Sequence, residues 1–164
     1  RAAGREFAVA RAGPPPRTAW RVEKGYRHWG HDIGPEDDPL AAGLSFCVAW
    51  NKPDFVGRDA LLRVRDARTP SRRLVQLRLL DDAKLLYHDE PVSADGRIVG
   101  SVTSGMYGHR VGAPLGMGYL HHADGVTQAW LDEQELAIEV AWERVPAKAK
   151  LVAWYDPGNA RIRS

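Results

Sequence analysis

Cysteine is nearly missing from this sequence: Cys47 is the only one. That excludes an internal disulfide framework and any multi-cysteine zinc site. Long apolar runs are missing too. None approaches the roughly 20 residues that cross a bilayer, so no membrane partner is expected. Charge of one sign is scarce, because 23 Lys and Arg stand against 21 Asp and Glu, for a formal net charge of +2. A nucleic-acid binder carries a larger or more clustered surplus. The stretch that mixes cations with aromatics, Trp20–Trp29, holds Glu23 and is followed by Asp32, Glu36, Asp37 and Asp38. Nucleic acid is therefore not an expected partner. Residues 1–12 lack the apolar segment of a secretory signal. The chain also begins without methionine, which raises the expectation of a fragment or a processed piece. A reducing, soluble compartment is expected, cytoplasmic or, in a eukaryote, the mitochondrial matrix.

Familiar chemical signatures are lacking as well. His28 and His31 have H-x-x-H spacing and His121-His122 are adjacent, but no second matched pair joins them. Metal sites need three or four convergent ligands, so none is expected. Gly116-Met117-Gly118 opens like a dinucleotide fingerprint, yet His121 stands where the last glycine belongs and no helical pattern follows. Ser45, Ser101 and Ser104 lack the G-x-S-x-G frame of a nucleophile elbow. The residues alone point to no catalytic group.

What is there is an ordinary globular composition. The 164 residues are 44% hydrophobic and 27% charged, and a chain of this length buries roughly 70% of its unfolded surface. Pro14-Pro15-Pro16 predicts an extended connector, followed by one or two helical turns over 18–24. The glycines and prolines of 25–40 predict a structured loop. The apolar run Leu44–Trp50 predicts a short buried strand, with Cys47 an inert thiol inside it. Val56, Ala60, Leu61, Val64 and Ala67 share one helical face, which predicts a helix over 55–67 with Asp54 as its cap.

After Pro70 the period changes to two. Val75, Leu77 and Leu79 oppose Gln76 and Arg78. Asp95-Gly96 between apolar flanks is a hairpin signal. Leu136, Ile138, Val140 and Trp142 predict a half-buried strand, and 148–154 a further one. The six glycines from Gly100 to Gly118 predict bends in a curved sheet. The expected fold class is α+β: a small mixed N-terminal segment with one clear helix over 1–70, then an antiparallel β-barrel over 71–164.

The segment Arg21–Ile33 places Glu23 among Arg21, Lys24, Tyr26, Arg27 and Trp29. Such a segment is either an elaborate loop or a grip for a flat, nitrogen-rich ring. A carboxylate accepts two parallel N–H bonds from a guanidine-like edge, and aromatics stack on the ring face. Sequence chemistry leaves both readings open.

Several blocks in order resemble the C-terminal part of the glycine cleavage T-protein (aminomethyltransferase) family. They are R-V-E-K-G-Y-R-H-W-G-H-D-I (Arg21–Ile33), D-x-P-L-x-A-G-L (Asp37–Leu44) and N-K-P-D-F-V-G-R-D-A-L-L (Asn51–Leu62). G-S-V-T-S-G-M-Y-G-H-R-V-G (Gly100–Gly112), G-M-G-Y-L (Gly116–Leu120), V-P-A-K-A (Val145–Ala149) and Y-D-P (Tyr155–Pro157) complete the set. The ending, with Arg161 and Arg163, looks like that of the sarcosine and dimethylglycine dehydrogenases, which carry a T-protein-like folate module after an FAD domain.

The resemblance implies tetrahydrofolate as ligand and a parent reaction that moves a one-carbon unit onto folate. It implies Glu23 as the pterin-gripping carboxylate and Lys52 as a cation near the folate tail. Tyr26, Trp29 and Tyr155 are implied wall residues. FAD would belong to a preceding domain, and a flavin domain or lipoyl carrier protein would be the protein partner. The family's catalytic aspartate lies in an N-terminal half outside this sequence, so no turnover is expected of this chain alone. Segment 1–70 would then be the remnant of a folate-binding domain. The alternative is a non-catalytic barrel that packs on a flavin domain or partner subunit. A folate-binding relative of iron–sulfur maintenance carries K-G-C-Y-T-G-Q-E where this chain has E-K-G-Y-R-H-W-G, and is set aside for want of that cysteine.

Overall fold

The computed structural model describes residues 13–67, 69–161 and 163. The apolar patch at 7–10 lies outside them. Helix α1 spans Pro14–Lys24, so the three prolines are helical rather than an extended connector. They fill the first turn, where backbone N–H groups have no intrahelical acceptor in any case, and their fixed φ suits a helix start. Gly25 ends the helix at φ 70, with its N–H on Val22 O and the Tyr26 N–H on Arg21 O. That left-handed stop favours glycine.

The loop from 25 to 57 contains a 3-10 turn, Ser45–Cys47, in place of the expected buried strand. Local N–H bonds from Leu44 to Pro39 O, from Cys47 to Leu44 O and from Val48 to Ser45 O close the chain on itself. With no strand alongside, the apolar side chains face outward. Phe46 is 80% exposed and Cys47 is exposed, not buried. Helix α2, Arg58–Ala67, begins after Gly57, whose φ is 86, so Asp54 does not cap it. Its apolar face is little covered: Leu61 and Leu62 are half-buried, while Val64 and the preceding Val56 are exposed.

Six antiparallel strands form a closed barrel in the order β1-β4-β3-β2-β5-β6. They are β1 (Arg72–Leu79), β2 (Pro91–Ala94), β3 (Arg97–Gly108), β4 (Ala113–His121), β5 (Leu136–Val140) and β6 (Glu143–Lys150). A short helix, α3 (Gln128–Glu133), capped by the Thr127 side chain on the Trp130 N–H, leans on β6. Asp95-Gly96 forms the expected turn, with φ of 46 and 81. Ala141 and Trp142, expected to prolong β5, instead form its turn into β6, with φ of 50 and 69. Trp142 is therefore exposed at the hairpin tip. Beyond Lys150 the chain leaves the sheet, so of the strand expected over 148–154 only 148–150 form, as the end of β6.

Val75, Leu77, Leu79, Val92, Val102, Leu120 and Ile138 fill the barrel. Neighbouring backbone leaves no space for side chains at several barrel glycines, Gly118 and Gly105 among them. A Cβ on Gly118 would come 2.3 Å from Ser101 O, and one on Gly105 would come 2.2 Å from Leu86 backbone atoms. A second apolar cluster lies on the outer face of β1 and β4. Leu74, Leu115, Met117 and Tyr119 meet Val22 of α1 and Ala41 of the loop, with Trp154 against them. Gly25, just past the end of α1, lies against the Gln76 side chain beside Ala153, so Gln76 is buried too, although period two places it opposite the barrel core.

Candidate functional site

Helix α1 lies against β3 and β4. Ala19, Val22 and Glu23 share its inward face at i, i+3 and i+4 spacing, and all three are buried. A buried carboxylate needs donors. The β3–β4 turn supplies two, the N–H groups of Arg110 at 2.5 Å and Val111 at 3.0 Å, both on Glu23 Oε1. Gly108 makes the approach possible, since a Cβ there would come 3.1 Å from Glu23 Cγ. No hydrogen bond to the second oxygen, Oε2, is seen among the described residues. Glu23 lines a cavity of about 670 Å³, with Trp20, Tyr26, Arg110 and Tyr155 also in its wall. One acceptor oxygen is thus spent on fixing the carboxylate, and the other is left for an occupant.

The rear wall comes from the far end of the chain. Lys24 Nζ donates to Asp156 Oδ2 at 2.9 Å, and also to its carbonyl. The Tyr155 N–H donates to Glu23 O at 3.2 Å. Asp156 Oδ1 accepts the N–H groups of Ala160 and Arg161, which turns the chain back. The hydrogen bond from Lys24 holds the Asp156 carboxyl below its ordinary range.

The helix is anchored beneath by Asp32, which is 1% exposed. Its Oδ2 accepts from Arg21 Nη1 at 2.5 Å and from the His28 N–H at 2.8 Å, and its Oδ1 accepts from the Thr103 hydroxyl at 2.6 Å. Arg21 Nη2 reaches Ser104 Oγ at 3.0 Å. This network ties α1, the 28–33 loop and β3 into one unit. Arg27 bonds the carbonyls of Gly25, Ala42 and Gly43, and burial lowers its pKa.

Of the five residues singled out in the sequence, Glu23, Tyr26 and Tyr155 meet in this cavity. Trp29 does not line it and stands 66% exposed, bridged to Ile33. Lys52 is exposed, and its carbonyl accepts from Arg58 Nε of α2. Sequence reasoning missed Trp20 and Arg110. Trp20 had a signal, since it lies one helical turn before Glu23 on the same side. Arg110 had none, because nothing local marks a turn that folds back on a helix almost 90 positions away. A larger cavity of about 730 Å³ beside α3 and β6 contains none of these residues. Among the described residues no group of three or more His, Cys, Asp and Glu is placed to hold a metal ion. No helix there is long and apolar enough to cross a membrane.

Comparison with known proteins gives two family matches. Residues 72–156 match the glycine cleavage T-protein C-terminal barrel domain, and residues 1–52 match the GCVT N-terminal domain. A 4-methylaminobutanoate oxidase (formaldehyde-forming) of Paenarthrobacter nicotinovorans is 38% identical over 162 residues, 98% of this chain but 19% of that protein. Human mitochondrial sarcosine dehydrogenase is 33% identical over 165 residues, 99% of this chain and 18% of that one. An aminomethyltransferase of Halothermothrix orenii is 35% identical over 120 residues, 73% of this chain and 33% of that one. The crystal structure of glycine cleavage system aminomethyltransferase T from Bartonella henselae superposes with a TM-score of 0.72 at 26% identity, covering 86% of this chain and 38% of that one. The chain thus spans about a fifth of the length of the two oxidative relatives.

Proposed function

The chain belongs to the glycine cleavage T-protein family, and from that premise we propose that the cavity beneath α1 grips the pterin ring of a tetrahydrofolate. The observation that carries this reading is the buried Glu23 carboxylate, fixed through Oε1 by two backbone N–H groups, with Oε2 unspent in a cavity walled by aromatics. A reduced pterin offers an amino group and a ring N–H side by side, and a fixed carboxylate accepts from such an edge. Trp20 and Tyr26, both more than half exposed, would gain cover by stacking on the ring. Lys24 is already neutralised by Asp156, so it would shape the wall rather than bind charge.

Segment 1–70 is proposed as part of a folate-binding domain and 71–164 as the barrel domain that closes over it. In the whole protein this section would orient folate N5 and N10 toward a one-carbon donor, an N-methyl amine or aminomethyl group, and exclude water there. Lys52 and Trp29 would join only at the outer edge, where the folate tail emerges. A flavin domain, with its FAD, or a lipoyl carrier would supply the one-carbon unit.

The test is a titration of this chain with 5-formyltetrahydrofolate, followed by the fluorescence of its six tryptophans after correction for folate absorbance. Glu23→Gln is the informative variant. It keeps an acceptor for the Arg110 and Val111 N–H groups but sets an NH₂ donor against the pterin donors. Saturable binding that weakens at least about 100-fold in the variant is expected. Equal binding by both proteins would sink the Glu23 role.

A second reading has its own observation. Phe46 and Val56 are exposed, and α2 leaves Val64 uncovered. This side of the 44–67 segment suits packing against another domain or subunit, and an isolated chain that folds but binds no folate would favour that role.

A further inference from the structure

Gln76 is 3% exposed in the middle of β1. Its Oε1 is buried without a hydrogen-bond partner, and no hydrogen bond from its Nε2 is seen among the described residues. A buried amide oxygen without a partner costs stability. It forms part of the wall of a cavity of about 530 Å³ on the other side of the Lys24–Asp156 pair from Glu23. Such a volume is in the ordinary range for small-molecule sites.

The charged side chains around this cavity already have hydrogen-bond partners. Lys24 and Asp156 neutralise each other, and Arg27 is held by three backbone carbonyls. The remaining wall is mostly apolar: Leu44, Phe46, Leu151 and Val152 contribute, and Phe46 and Val152 are exposed to it and to solvent. An occupant that brought a net charge would be desolvated while the donors and acceptors of these groups are already taken. One that brought only apolar surface would leave the amide unpaired. From these facts together we infer that the cavity is a second binding site, for a small, neutral, planar carboxamide or lactam that hydrogen-bonds the Gln76 amide while its ring packs on Phe46 and Leu44. An amide ligand is complementary whichever end of the Gln76 group faces the cavity, since it carries both donor and acceptor.

Benzamide is the probe, with benzoate as its charged isostere, titrated into the ¹⁵N-labelled chain while the Gln76 side-chain NH₂ resonances are followed. Benzamide should shift them saturably with a Kd on the order of 1 mM, the range expected for so small a ligand. Benzoate at the same concentrations should not. Gln76→Leu should weaken benzamide binding at least tenfold and melt no lower than the parent, because it removes an unpaired buried amide. No saturable shift up to about 10 mM would overturn the site, and that measurement needs no variant. Equal binding of benzoate would overturn the neutral class, and undiminished binding by Gln76→Leu would overturn the role of the amide. Displacement of benzamide by 5-formyltetrahydrofolate would show one site rather than two and would overturn the inference without touching the folate reading.

Discussion

Asp32 is where a single substitution should do most damage, and Asp32→Ala is the perturbation to make. The carboxylate is fully buried and collects three donors: the Arg21 guanidinium, the His28 N–H and the Thr103 hydroxyl. Removing one partner of a buried ion pair costs about 3–5 kcal/mol, because the other charge is left uncompensated. Arg21 keeps bonds to Tyr26 O and Ser104 Oγ, and 17% of its side chain reaches solvent, so the lower end, about 3 kcal/mol, applies to the pair. The stranded His28 N–H adds about 1 kcal/mol. Thr103 adds less, since Met117 O remains within reach of its hydroxyl at 3.2 Å. The total is roughly 4 kcal/mol, a large part of the 5–15 kcal/mol that holds most domains folded. At 2–4 °C per kcal/mol for a chain of this size, Tm should fall by about 8–16 °C. Urea unfolding followed by tryptophan fluorescence reads the same quantity as a shift in midpoint at unchanged slope. A cycle with Arg21→Met should give a coupling of at least about 1 kcal/mol. A loss below about 1 kcal/mol for Asp32→Ala would mean that the network is no more than a surface pair and does not anchor α1.

Burial, with Asp37 nearby, pushes the Tyr119 hydroxyl up from 10.0 to about 12. Between those values the unfolded chain gives up the proton and the folded chain keeps it, so stability is intact below pH 10 and falls as pH rises through the window. Chemical unfolding of parent and Tyr119→Phe across that range should show the parent losing about 2 kcal/mol relative to the variant; parallel curves would refute the shift. Cys47 should react with a thiol reagent in the native protein at nearly the rate of a free thiol, because it is exposed; labelling that requires denaturant would contradict the 3-10 turn. Gly118→Ala should abolish a folded barrel, since the new Cβ meets the Ser101 carbonyl at 2.3 Å, whereas Gly158→Ala has open space and should melt like the parent. Circular dichroism melts of the pair check both, and a folded Gly118→Ala would refute the packing at that crossing.

The parts of the fold that were legible are those whose cause is local. The alternation of Val75, Leu77 and Leu79 survives as β1, and Asp95-Gly96 turns because both residues tolerate positive φ. The misreadings also have local causes. Three prolines suggest an extended chain only when the first turn of a helix is overlooked. Trp142 continues an apolar alternation straight through a turn, so period alone cannot find the end of β5. The Leu44–Trp50 run has the composition of a core strand but no neighbour to pair with. At the site, Glu23 and Tyr26 were legible from one stretch of sequence. That Tyr155 and the 110–111 N–H groups converge on them is a tertiary fact, carried by the linked family blocks rather than by any local pattern. The burial of Gln76 was invisible for a like reason: it depends on Gly25 and the distant Ala153 closing on the outer face of β1.

The Lys24–Asp156 clasp joins residues 132 positions apart, and it bounds both cavities. The barrel strands lie wholly between its two ends. Closure of so long a loop is an entropic cost that later contacts must offset. On a chain emerging from the ribosome, α1 is made before the barrel strands and clasped after them. Its inward face must wait, uncovered, while six strands are synthesised and closed. Neither cavity has a rear wall until Asp156 arrives, so a ligand can act on the finished protein but cannot guide its early folding.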